Sequence, residues 1–89
     1  MVTNRTVVED IISGVPTFRN ELLAIEPDEQ KADQLIENAA LVLSRDPTLG
    51  IQFSPHSPLW YYEIMTPICC LLYYTFDASE VLFVSIQKR

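Results

Sequence analysis

Four tyrosines, one histidine, two cysteines and six basic side chains are the groups with which this 89-residue chain could do chemistry. The tyrosines stand in pairs, Tyr61-Tyr62 and Tyr73-Tyr74. Arg45 precedes an Asp-Pro, and Lys88-Arg89 end the sequence. Tyrosine with Lys or Arg suits nucleic acid, because aromatic rings stack on bases and cations neutralise phosphates. Cleaving RNA asks for more: positive charge against a charge-rich transition state, and a group to move the 2′-hydroxyl proton. Arg45, Tyr61, Tyr62, Lys88 and Arg89 are the candidates for that work. Against it stand twelve acidic residues to six basic ones and a formal net charge of −6. A broad nucleic-acid footprint is therefore not expected, and only a small basic spot from Arg45, Lys88 and Arg89 remains. No Lys or Arg occurs from Trp60 to Gln87, and no Tyr or His follows Phe83. The tyrosines accordingly read as core and interface residues before they read as base-stacking ones.

The other candidates are plainer. His56 lies alone among Pro and Ser, with no second histidine and no neighbouring carboxylate, so it reads as a loop residue. Cys69 and Cys70 are adjacent, so on a strand they point to opposite faces and do not pair; they read as reduced, small core residues. Neither a phosphate-binding glycine loop nor a Cys/His ligand set is written in the chain, and no cofactor or metal is expected. Glu26, Asp28, Glu29, Asp33 and Glu37 form a solvated acidic face that could also meet a basic partner segment. No apolar run reaches the roughly 18–20 residues that span a bilayer. Met1 to Asp10 carries acids where a leader would be apolar, so a cytoplasmic location is expected.

Elements must position these groups, and 89 residues allow one small domain. Ala32, Leu35, Ile36, Ala39 and Leu43 recur at the spacing of one helix face, predicting a helix from Pro27-Asp28 to about Arg45. Pro27 suits its first turn, acids favour its positive end, and Asp46-Pro47 stops it. A shorter helix over Pro16 to Ile25 carries Phe18, Leu22 and Ile25 on one face, and the tight Glu26-Pro27 join predicts an antiparallel helical hairpin. Over Thr6 to Ser13 the apolar positions fit a helix face, while the β-branched content favours a strand. Thr48 to Leu59 reads as turn and loop. Three β-rich runs then follow, Trp60 to Met65, Ile68 to Phe76 and Val81 to Gln87, as a three-stranded antiparallel meander. The fold class is α+β.

Alternation in the middle strand sets Ile68, Cys70, Leu72, Tyr74 and Phe76 on one side, and Cys69, Leu71, Tyr73 and Thr75 on the other. In the last strand Leu82, Val84 and Ile86 oppose Val81, Phe83, Ser85 and Gln87. Helices can cover one face. The second, with Leu71, Tyr73 and Phe83, is more apolar than a monomer normally exposes, so it is shielded by the loop, by the N-terminal segment, by a partner or by a second copy. Leu71, Tyr73, Phe83 and Trp60 are the partner-binding candidates.

The order of helical hairpin, Arg-Asp-Pro stop with Gly50 close behind, and meander resembles the RelE/ParE superfamily of bacterial toxins. The stretch ADQLIENAALVLSRDPTLG (32–50) is similar to the family's second helix, and CLLYYTFDASEVLFVSI (70–86), after Pro67, to its two closing strands. The likeness covers about fifty-five residues from Ala32 onward. It implies that part of Arg5 to Ser13 is a strand pairing with the sheet. It also implies a toxin held by a co-expressed antitoxin, whose helix or strand packs into an apolar groove or adds to a sheet edge. The RelE-like branch cuts messenger RNA on the ribosome; the ParE-like branch inhibits DNA gyrase. The shortage of basic residues on the strands departs from the first pattern and argues against an enzyme. Three functions stand open: a non-catalytic, protein-binding toxin of a toxin-antitoxin system, a ribosome-dependent endoribonuclease, and a dimerisation domain without toxicity.

Overall fold

A computed structural model describes residues 4–89; the first three residues of the stretch considered above as a leader lie outside it. The elements in order are β1 (Thr6–Glu9), α1 (Thr17–Ile25), α2 (Glu29–Arg45), a 3-10 turn (Pro47–Leu49), β2 (Ile51–Gln52), β3 (Trp60–Ile64), β4 (Cys70–Phe76) and β5 (Glu80–Lys88). They make one sheet in the order β1-β5-β4-β3-β2, with β1 parallel to β5 and every other pair antiparallel. The chain is α+β, but the three-stranded meander expected from sequence is the middle of a five-stranded mixed sheet. The two additions are short. β2 has only two residues, too few for alternation to register, and the four of β1 are ambiguous between helix and strand on pattern alone. Among the described residues, no helix is long and apolar enough to cross a membrane.

Helix α2 begins where its acids say it should. Asp28 is the N-cap, its carboxylate accepting from the Lys31 N–H at 3.0 Å. Pro27 therefore sits one residue before the cap, not in the first turn. Ala32, Leu35, Ile36, Ala39 and Leu43 are all buried, so the spacing identified the inward face. At the far end Asp46 is extended, and its carboxylate accepts from the Thr48 N–H and hydroxyl, opening the 3-10 turn at Pro47. Those bonds hold the Asp46 carboxyl below its usual range. Helix α1 contributes Phe18 and Leu22, both fully buried, and the Phe18 ring lies 5.5 Å from that of Phe83.

The sheet's inner face carries Cys70, Leu72 and Tyr74 from β4, as alternation predicts, but Val81, Phe83 and Ile86 from β5. A β-bulge explains the second set. Tyr73 opposes Ser85 and Tyr74 opposes Phe83, so Val84 is an extra residue on β5 and the alternation changes phase there. Phe83 is consequently a core residue under α1, and not part of an exposed apolar face. Arg5 ties β1 to the neighbouring turn: its Nε donates to the Asp77 carbonyl at 2.7 Å and its guanidinium lies 5.8 Å from the centre of the Phe76 ring.

One contact joins the helical layer to the centre of the sheet. The Tyr74 hydroxyl, fully buried, donates to the Pro47 carbonyl at 2.5 Å. Gly50 makes room for it: a Cβ there would lie 2.1 Å from the Tyr74 hydroxyl oxygen and 2.6 Å from the Tyr61 carbonyl oxygen. Gly50 has an ordinary φ of −77°, so close approach and not backbone freedom requires the glycine. Gly50→Ala is expected to destabilise by about 1–3 kcal/mol in a denaturant titration, the cost of overpacking a filled site. Burial pushes the Tyr74 phenol up to about 12, against a smaller opposing pull from the Gly50 backbone. The fold therefore favours the neutral phenol. Its contribution is complete below pH 10 and is lost as the pH rises toward 12. Tyr74→Phe, which strands the Pro47 carbonyl, should cost about 1–3 kcal/mol at neutral pH and flatten that alkaline loss in pH-dependent melts.

Candidate protein-binding surface

Antiparallel partners share a face, so the register builds the uncovered side of the sheet directly. Ile51 opposes Tyr61, and Tyr61 opposes Tyr73, giving a row across β2, β3 and β4. The Tyr61 and Tyr73 rings stand 6.2 Å apart. Beside that row Glu63 opposes Leu71. With Phe53 and Arg89 these residues line a shallow depression of about 240 Å³. Leu71, Tyr61 and Tyr73 are half-buried, while Ile51 and Phe53 are 57% and 60% exposed. The loop after Gly50 thus widens the apolar face and does not roof it. At the rim Arg89 is paired with Glu63 in an exposed contact that contributes little to stability.

Two of the four partner-binding candidates therefore fall on this face, Leu71 and Tyr73. Trp60 does not. It opposes Tyr74 on the helix side, where its ring meets Phe76 edge-on at 5.5 Å and is partly buried. Phe83 is in the core. Ile51 and Phe53 escaped sequence reading because they sit among Gly, Ser and Pro; their own i, i+2 spacing was the available signal.

The catalytic candidates are dispersed. Tyr61 and Tyr62 are neighbours on β3 and so project to opposite faces; Tyr62 lies toward α2, beside Gln34, Leu35, Asn38 and Ala39 in a cleft of about 480 Å³. Arg45 is exposed at the end of α2, next to the turn that packs on Tyr74. Lys88 opposes Cys70, and the Arg89 N–H donates to the Cys69 carbonyl, at the other end of β4. Four residues of strand, about 13 Å, separate Tyr74 from Cys70. Among the described residues the single cation lining the Tyr61 depression is Arg89, and Glu63 already pairs with it. His56 is exposed in its loop.

Cys69 and Cys70 do point apart. Cys70 is a core residue whose thiol burial pushes up, whereas Cys69 is exposed and not the core residue expected. Among the described residues no group of three His, Cys, Asp or Glu side chains is placed to hold a metal ion.

An apolar depression of this kind is expected to bind hydrophobic dyes. Ile51→Thr with Phe53→Ser should lower dye fluorescence markedly while moving stability by no more than about 0.5 kcal/mol, since both side chains are largely exposed. Comparison with protein-family models, with curated proteins and with solved structures finds no match to this chain.

Proposed function

We propose that this chain is a toxin-like module of the RelE/ParE kind, which acts by binding proteins and not by catalysis. Its first partner is an antitoxin segment laid over the open face of the sheet, and a target protein such as DNA gyrase is the second. The observation that carries this reading is the row Ile51, Tyr61 and Tyr73 with Leu71 and Phe53 beside it, an apolar surface that none of the described elements covers. Two further features support it. The order of β1, two helices and a β3-β4-β5 meander is the one that the sequence resemblance implies, with β1 paired to the sheet. Arg45, Tyr61, Tyr62, Lys88 and Arg89 do not converge on a point where a phosphate and a 2′-hydroxyl would sit.

Induced expression tests the proposal. The expected outcome is growth arrest with intact messages, relieved by co-expression of the adjacent small reading frame. Arrest should persist after Arg45→Ala combined with removal of Lys88-Arg89, and should be lost in Tyr73→Arg, a change that puts charge on the open face. Arrest with cut messages that disappears in the basic-residue variant would transfer the function to an endoribonuclease. Normal growth would leave a dimerisation domain, to be seen by sedimentation as a stable dimer.

A further inference from the structure

The opposite edge of the sheet has a different chemistry. β1 joins β5 through alternate residues: the Thr6 N–H donates to the Ser79 carbonyl at 3.1 Å and the Asp10 N–H to the Phe83 carbonyl at 2.9 Å. The N–H and C=O of one strand residue point the same way, so Arg5, Val7 and Glu9 turn theirs outward. The Arg5 N–H is taken by the Ser44 carbonyl at 2.8 Å. Val7 and Glu9 have no backbone partner on that side among the described residues. They are the open rungs of an edge strand.

Alongside these rungs runs a groove of about 640 Å³ between β1 and α2. Val7, Ile11, Ile36 and Ala40 supply its apolar lining, and Ile11 is 62% exposed. Glu9, Asp33 and Glu37 supply its charge. The one cation lining it among the described residues, Arg19, donates to Glu9 through Nε at 2.9 Å and to Asp33 through Nη1 at 2.6 Å. Glu9 first, then Asp33, hold that guanidinium protonated well above its ordinary range, so it is committed to the wall of the groove. Three carboxylates against one paired guanidinium leave the site negative. Glu37 is in no ion pair among the described residues.

We infer that the β1 edge receives an extended, basic segment of another protein as a sixth strand. Its backbone pairs with Val7 and Glu9, its apolar side chains rest on Val7, Ile36 and Ala40, and its Lys or Arg side chains reach Glu37 and the Glu9–Asp33 wall. Charge decides against the other obvious occupant. A second copy pairing β1 with β1 would set the Glu9 and Glu37 side chains of one chain near those of its twin, which is repulsive. This surface lies across the sheet from β2, and the inference is independent of what covers the open face.

A synthetic peptide of alternating Lys and Val, capped at both ends, is the probe, with its Glu-Val counterpart as control. Titrated into the full chain, the Lys peptide should bind, shift the amide resonances of Val7 and Glu9 most, and slow their exchange with solvent. Glu37→Lys, an exposed change on α2, should weaken binding about tenfold, with thermal melting confirming that the variant folds. Four results would overturn the inference: no binding at about 1 mM peptide, a range in which even millimolar affinity registers, equal binding of the Glu peptide, indifference to Glu37→Lys, or shifts centred on Tyr61 and Tyr73. The last would assign the peptide to the open face. A concentration-dependent dimer whose contacts map to Val7 and Glu9 would also overturn it, in favour of a second copy.

Discussion

The Tyr74 to Pro47 hydrogen bond sets the geometry on which everything else hangs. Tyr74 lies in β4, the central strand, and Pro47 follows the end of α2, so the bond fixes where the helix stops relative to the middle of the sheet. With that end anchored, the inward face from Ala32 to Leu43 is held in the same buried core as Leu72 and Ile64. The chain leaving Pro47 must also pass close above Tyr74, which is why position 50 has no side chain and why β2 starts there. Asp46 completes the arrangement from the outside by capping the turn that presents the carbonyl. Each of these four residues is ordinary alone. Together they convert a helix stop into the entry to a strand.

A second constraint comes from the bulge at Val84. Without it, β5 would show Phe83 and Ile86 to opposite sides, and one of them would leave the core. The extra residue lets both face inward, Phe83 against Phe18 and Ile86 against the inner face of β4. It also removes Phe83 from the outer surface. The open face is thereby concentrated on β2, β3 and β4, and what it presents is a pair of tyrosines flanked by Leu71, Ile51 and Phe53.

These two constraints explain what the sequence made legible. Helix α2 could be placed almost to the residue because seventeen positions repeat a strong period and both ends carry their stop chemistry. Strands β3, β4 and β5 could be placed because they are long and separated by turn residues. The face of β4 followed from alternation alone. On β5 alternation failed at the bulge, since no glycine or other local marker distinguishes Val84 from its neighbours. Strand β2 was invisible because two residues form a strand only when β3 offers a partner, a fact of tertiary pairing. Trp60 was misplaced for a related reason: its face is fixed by its opposition to Tyr74, which a single strand does not encode.

Every open sheet must deal with its edges, and this one deals with its two edges differently. On the β2 side the strand is cut to two residues, so little backbone is offered for pairing. On the β1 side four residues are presented, with Glu9 and Asp10 at the end and Asp33 and Glu37 of α2 overlooking them. Acids along an edge repel a copy carrying the same acids, and so keep an acidic chain from pairing with itself while leaving the rungs in place for a strand of opposite charge. The net charge of −6 then has a local meaning beyond solubility. It opposes self-pairing at the β1 edge, whereas on the open face the Glu63–Arg89 pair is balanced and the neighbouring lining is largely apolar.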